Sequence, residues 1–155
     1  MGARARVIAV VGAGGAIDSE LRRLAEAVGA AIAARGGVLI TGGLGGVMEA
    51  SSAGARRAGG RVVGILPGND PSAANPYVEI ALATGLGEAR NTVIATAAEA
   101  MIAVGGEYGT LSEIAFALKL GKRVVALASP WQHISGTLLA ADADAAVDIA
   151  LLSRS

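Results

Sequence analysis

Short apolar runs alternate with amphipathic stretches along the whole chain. Arg6–Gly12, Val38–Ile40, Arg61–Leu66, Val78–Ala83 and Ala100–Val104 read as strands, and Arg123–Ala128 reads as the last one. Between them, Asp18 or Ser19 opens a helix to about Ala34. Its Leu21, Leu24, Ala25, Val28 and Ile32 share one face, and Gly36-Gly37 stops it. Further helices are expected from the turn after Thr41 to about Ala58, from Gly87 or Glu88 to about Glu99, over Thr110–Leu120, and over Asp142–Leu152. Pro67–Tyr77 holds three of the four prolines and reads as a loop.

Alternating strands and helices with short connections imply a parallel sheet with right-handed crossovers. The strand runs are apolar on both parities, which suits a sheet covered on both faces. The fold class expected is α/β: a Rossmann-like doubly wound parallel sheet with helices on both faces, residues 1–155 forming one domain. Ligands of such sheets bind beyond the carboxyl ends of the strands, near a switch in strand order.

Three glycine-bearing turns fall at strand carboxyl ends: Gly12–Gly15, Gly42–Gly46 and Gly105–Gly109. The last two run straight into helices. Glycine lets backbone approach a ligand closely, and a helix start offers unpaired N–H groups and the positive end of a dipole. Each is a phosphate cradle by this reading, and the two are expected to converge on one anionic group. The candidate contacts are Gly14, Gly42, Gly43, Gly45, Gly46, Val47, Met48, Glu49, Gly106, Tyr108, Gly109 and Thr110. Several also have plain structural readings: turn glycines, Thr110 as a helix cap, Glu49 as a surface carboxylate, Tyr108 as a cover over backbone.

The better-known motifs fail. A dinucleotide fingerprint would need glycine where Ile17 stands, and Thr41-Gly42-Gly43 occupies the place of the acidic ribose partner. The P-loop pattern G-x-x-x-x-G-K-[ST] and the nucleophile elbow G-x-S-x-G are absent. The single histidine, His133, cannot build a metal site alone, and no metal ligands are proposed.

Composition narrows the classes further. Apolar residues are 53% and mean hydropathy is +0.56, yet no apolar run approaches the ~18 residues of a membrane span. Thirteen basic and thirteen acidic residues cancel, so there is no footprint for nucleic acid or for an anionic membrane. With zero cysteines there is neither a disulfide scaffold nor a thiolate. The basic start, Met1–Arg6, leads into a strand rather than a signal sequence, and a cytoplasmic location is expected.

The segments Thr41–Ala50, Gly59–Pro67, Arg90-Asn91 and Gly105–Glu113 together resemble the LONELY GUY superfamily, over a span from Val7 to about Ala128. The family signature is Pro-Gly-Gly-x-Gly-Thr-x-x-Glu with an upstream arginine that acts with the glutamate. Gly106, Gly109 and Thr110 match it; Gly105 replaces the proline and Glu107 the second glycine. The resemblance implies that Arg90 and Glu113 would be the catalytic pair if the chain is an enzyme. The enzyme would be a nucleoside 5′-monophosphate phosphoribohydrolase of the cytokinin-activating type. Lysine decarboxylation, a label the family long carried in error, is not expected. Glu88–Asn91 and Gly109–Ala115 with Ala117–Lys119 are more similar to the bacterial branch of molybdenum-cofactor carrier proteins. That branch implies binding of a phosphorylated pterin, and a carrier is the leading reading. No cofactor is needed for folding; the ligand expected is a nucleoside monophosphate or the molybdenum cofactor. Glu113 reads either as a dipole-favoured carboxylate or as a cleft group that stabilises positive charge on a ribose. Arg90 runs against the dipole preference near its helix start, which suggests phosphate binding or orientation of Glu113; a surface arginine is the plain alternative. Asn91 reads as a helix-surface residue or a cleft hydrogen-bonder. Alanine-rich helices at Thr92–Glu99 and Leu111–Leu120 offer flat faces, so a homodimer or higher homo-oligomer is expected.

Overall fold

A computed structural model describes residues 2–153. The strands are β1 (Val7–Gly12), β2 (Val38–Thr41), β3 (Arg61–Leu66), β4 (Ile80–Ala83), β5 (Ala100–Val104), β6 (Arg123–Leu127) and β7 (Thr137–Leu139). The α-helices are α1 (Ser19–Ala34), α2 (Val47–Arg57), α3 (Arg90–Ala97), α4 (Tyr108–Lys119) and α5 (Ala143–Ala150). Every strand pair is parallel, in the order β4-β3-β2-β1-β5-β6-β7. This is a Rossmann-like doubly wound sheet. Strand order reverses at β1, which has β2 on one side and β5 on the other; Gly12 stands opposite Val104 at the carboxyl end of that pair.

Side-chain parity sorts the core into two layers. Ile8, Val10, Leu39, Val62, Ile102 and Val104 pack with α1, α2 and α5. Ala9, Val11, Ile40, Ile65, Met101 and Ala103 pack with α3 and α4. Both sets are buried, so neither strand face alternates with polar residues, as a sheet covered on both sides requires.

The helix boundaries have local causes. Asp18 caps α1, its side chain accepting from the Leu21 amide at 2.7 Å, and Asp142 caps α5 by accepting from Ala145 at 2.8 Å. Helices α1 and α2 cross with backbone against backbone. A Cβ on Gly29 would stand 1.9 Å from the Ser51 carbonyl oxygen, and one on Gly54 1.9 Å from that of Glu26. This close crossing fixes where the start of α2 meets the sheet.

Three expectations need correction. Arg123–Ala128 is not the last strand: β7 follows, and its three residues are too few to show a period. Helix α4 begins at Tyr108, two residues before Thr110. Its cap position is Glu107, whose side chain makes no capping bond, so Thr110 is the third helical residue and not the cap. The stretch from Gly87 starts as a 3₁₀ turn (Gly87–Ala89), becomes α3 at Arg90 and ends at Ala97. Within Pro67–Tyr77, Asp70 caps a second short 3₁₀ turn, Pro71–Ala73.

Candidate functional site

A cavity of about 380 Å³ opens at the carboxyl edge of the sheet, over the β1–β5 reversal. Its lining comes from five places: Gly12 at the end of β1 with Ala13 and Gly14 after it; Gly42, Leu44 and Met48 at the β2–α2 turn; Pro67 after β3; Gly87, Glu88, Arg90 and Asn91 at the start of α3; and Glu107, Gly109, Thr110 and Glu113 at the start of α4. Both glycine-rich bends therefore reach one cavity.

Arg90 is the first residue of α3 and only 8% exposed. Its Nη1 donates to Asn91 Oδ1 at 2.7 Å, and its Nε has no partner among the described residues. Gly42 makes room for the guanidinium. A Cβ at residue 42 would stand 2.6 Å from Arg90 Nη1 and 2.7 Å from Met48 Sδ. Burial lowers the Arg90 pKa, with the charge of Glu113 opposing that shift, and a guanidinium stays protonated throughout.

Glu113 is 7% exposed and lines the same cavity. Burial pushes its carboxyl up to about 7, and Arg90 pulls it back in part. The two groups act on each other by charge, without a direct hydrogen bond or ion pair among the described residues. The buried carboxylate thus titrates near neutrality beside a fixed cation.

A hydrogen-bonded relay joins α3 to α4. Asn91 accepts from Arg90 and donates from Nδ2 to Ser112 Oγ at 3.4 Å; Ser112 Oγ donates to the Gly109 carbonyl at 2.6 Å. Ser112 was no candidate in the sequence, because a serine one turn into a helix reads as a surface residue. Only its place opposite Asn91 reveals the relay.

The two helix starts differ. On α4, Leu111 donates the first intrahelical bond to the Glu107 carbonyl at 3.0 Å, so the amides of Tyr108, Gly109 and Thr110 lie ahead of the ladder. Thr110 is buried, and a Cβ on Gly106, whose φ is +120°, would stand 2.6 Å from it. Gly106 is thus a packing partner of Thr110 and not part of the lining. On α2, the Val47 amide donates to the Ala13 carbonyl at 2.9 Å, so the protein's own backbone occupies part of that cradle. A Cβ on Gly46 would stand 2.1 Å from Ala13 O, and one on Gly45 3.1 Å from Gly14 O. Gly45, Gly46 and Val47 therefore bind the first turn to the second, and Gly43 packs on Leu66 of β3 with φ +80°. Glu49 stands outside the lining. Tyr108, 81% exposed, packs against Trp131 with ring centroids 5.7 Å apart, also outside it. Among the described residues no group of three or more His, Asp or Glu could hold a metal ion.

A seven-stranded parallel sheet with a cavity at its topological switch, the place where such sheets hold ligands, defines a Rossmann-like α/β domain. Within that class, the chain belongs to the SLOG cluster4 family, whose model matches residues 5–151. An uncharacterized protein of Archaeoglobus fulgidus is 54% identical over 123 residues, 79% of this chain and 80% of the relative. A cytokinin riboside 5′-monophosphate phosphoribohydrolase of Mycobacterium marinum is 36% identical over 139 residues, 83% of this chain and 73% of the relative. Among solved structures, the molybdenum cofactor binding protein of the phototrophic bacterium Rippkaea orientalis superposes with TM-score 0.88 at 35% identity, covering 94% of this chain and 95% of that one.

Proposed function

We propose that this protein binds and carries a phosphorylated heterocycle, a nucleotide or a molybdopterin-type cofactor. The observation that carries the reading is Arg90: a buried guanidinium residue that lines the cavity together with Gly109 and Thr110, whose amides lie ahead of the helical ladder of α4. An arginine held in this way suits a phosphate, and its neighbouring amides add donors and the favourable end of a dipole. A volume of about 380 Å³ lies within the usual range for small-ligand pockets of roughly 300–1,000 Å³. The similarity to the Rippkaea orientalis protein supports a pterin ligand.

A second reading, a phosphoribohydrolase releasing base from a nucleoside 5′-monophosphate, is favoured by Glu113. A carboxyl titrating at about 7 beside Arg90 suits proton transfer or charge stabilisation at a ribose carbon. The Mycobacterium marinum relative supports it. Incubating purified protein with AMP and other nucleoside monophosphates separates the two. Tight binding without free base supports the carrier; turnover abolished by Glu113→Ala supports the hydrolase. Arg90→Ala weakens binding by tenfold or more in either case, and unchanged affinity by calorimetry removes Arg90 from the site.

We further propose a homodimer. Three helices cover one sheet face and two the other. On the two-helix side Phe116 and Leu120, four residues apart at the end of α4, are exposed, as are Ile80 and Leu82 on β4. A second copy would cover this apolar side. On this reading the protein works in the cytoplasm as one domain, without nucleic-acid or membrane partners; its balanced charge supports the absence of those partners. No helix among the described residues is long and apolar enough to cross a membrane.

A further inference from the structure

Arg90 lines the cavity, yet among the described residues its guanidinium has one hydrogen-bond acceptor, Asn91 Oδ1, at 2.7 Å from Nη1. Gly42 leaves it space but gives it no bond, and Glu113 acts on it by charge alone. Whatever fixes the Asn91 side chain therefore fixes the direction of the cation.

The polarity of the chain behind Asn91 is forced from both ends. A guanidinium only donates, so the Asn91 carbonyl oxygen must face Arg90. A backbone carbonyl only accepts, so the Ser112 hydroxyl proton must lie on the 2.6 Å bond to Gly109. With that proton committed, Ser112 Oγ can only accept from the Asn91 amide, at 3.4 Å. Turning the Asn91 side chain over would set its amide against the Arg90 N–H groups and its oxygen against a hydroxyl with no free proton. Ser112 thus holds Asn91 in the one orientation that receives Arg90.

Gly109 ties this chain to the other half of the cavity. Its carbonyl takes the Ser112 proton, and the residue itself lines the cavity at the start of α4. That helix start is held from a further side. The Glu107 carbonyl accepts from the Leu111 amide at 3.0 Å and from Trp131 Nε1 at 3.1 Å. Ser112 therefore leans on a fixed point. It stands outside the lining itself, so any effect it has on a ligand passes through Asn91.

We infer, on the reading of this cavity as the phosphorylated-heterocycle site, that Ser112 is a positioning residue: through Asn91 it orients the Arg90 guanidinium toward the phosphate of the ligand. A planar fork of donors grips a phosphate well only when it is aimed, so loss of the aim costs affinity for the phosphate and not for the ring.

The test is calorimetric titration of the intact protein with AMP, GMP and a pterin carrying a phosphorylated 6-hydroxymethyl group, each beside its dephosphorylated form. Ser112→Ala is expected to weaken the phosphorylated probes about fivefold, the worth of one net hydrogen bond, and to leave the dephosphorylated ones unchanged. Ser112→Thr keeps a hydroxyl that reaches the carbonyl three residues back and should bind like the parent. In an Arg90→Ala background, Ser112→Ala should have no further effect, because the group it orients is gone. Thermal unfolding of each variant checks that the fold is intact. Equal losses with and without the phosphate, a loss undiminished in the Arg90→Ala background, or no loss at all overturns the role of Ser112. Weakening by Arg90→Ala in the same series leaves the cavity reading standing. Binding of none of the three phosphorylated probes overturns both.

Discussion

Gly42 and Arg90 fit together with no room for a methyl group: a Cβ on residue 42 would stand 2.6 Å from Arg90 Nη1. The obstacle is the end of a flexible side chain, together with Met48 Sδ, and not a carbonyl. Gly42→Ala should therefore displace the guanidinium at modest cost to the fold. We expect ligand affinity to drop about tenfold or more while the unfolding midpoint moves by only a few degrees. Calorimetry and thermal unfolding on the same preparation check both halves. Unchanged affinity would mean that the position of Arg90 does not matter for binding.

Glu113 makes stability depend on pH in an unusual direction for a carboxyl group. Its pKa rises from the ordinary 4.5 of a glutamate to about 7 in the fold, chiefly through burial. Between those values the folded state holds more protons than the unfolded chain, so unfolding free energy falls as pH rises. The stabilisation is complete below about 4.5 and is lost as pH passes through about 7. The total is on the order of 3 kcal/mol, the equivalent of the shift. Glu113→Gln should flatten this slope and be more stable than the parent above pH 7. Urea unfolding across pH 5 to 8 checks it; identical slopes in both proteins would contradict it.

Gly29 and Gly54 carry the contact between α1 and α2. Cβ atoms there would meet backbone carbonyl oxygens at 1.9 Å, and backbone cannot rotate away as a side chain can. Gly29→Ala should destabilise the fold by about 3 kcal/mol or more, at the upper end of overpacking costs. Gly15→Ala, with nothing within 4 Å of its Cβ, is the control and should cost little. Urea midpoints that agree for the two variants would refute the crossing as described.

The apolar side over α3 and α4 predicts a dimer that a single charge should disrupt. Phe116→Arg is expected to give a monomer of unchanged secondary structure at micromolar concentration, by light scattering and circular dichroism. A parent protein that is already monomeric there would refute the proposed face.

Sheet and helices were legible because buried parallel strands have no polar alternation: Val7–Val11 and Met101–Val104 admit few other readings. The carboxyl-edge location of the cavity was legible too, since the glycine turns follow strands. The division of labour among those glycines was not. A glycine beside a ligand and a glycine beside another loop look alike in sequence. Gly42 borders Arg90, whereas Gly45 and Gly46 border the carbonyls of Ala13 and Gly14. Contacts distant in sequence were equally hidden. Asn91 meets Ser112 across 21 positions, and Asn75 donates from its amide to Gly43 and from its side chain to Leu44. Neither pair leaves a local pattern. Residues 137–139 were missed for want of length.

The hold of Trp131 on the Glu107 carbonyl gives the protein a built-in optical probe. The chain has one tryptophan, so all of its indole emission originates beside the first turn of α4. An unlabelled sample titrated in a fluorimeter can therefore report events at this rim alone, undiluted by signal from elsewhere in the molecule.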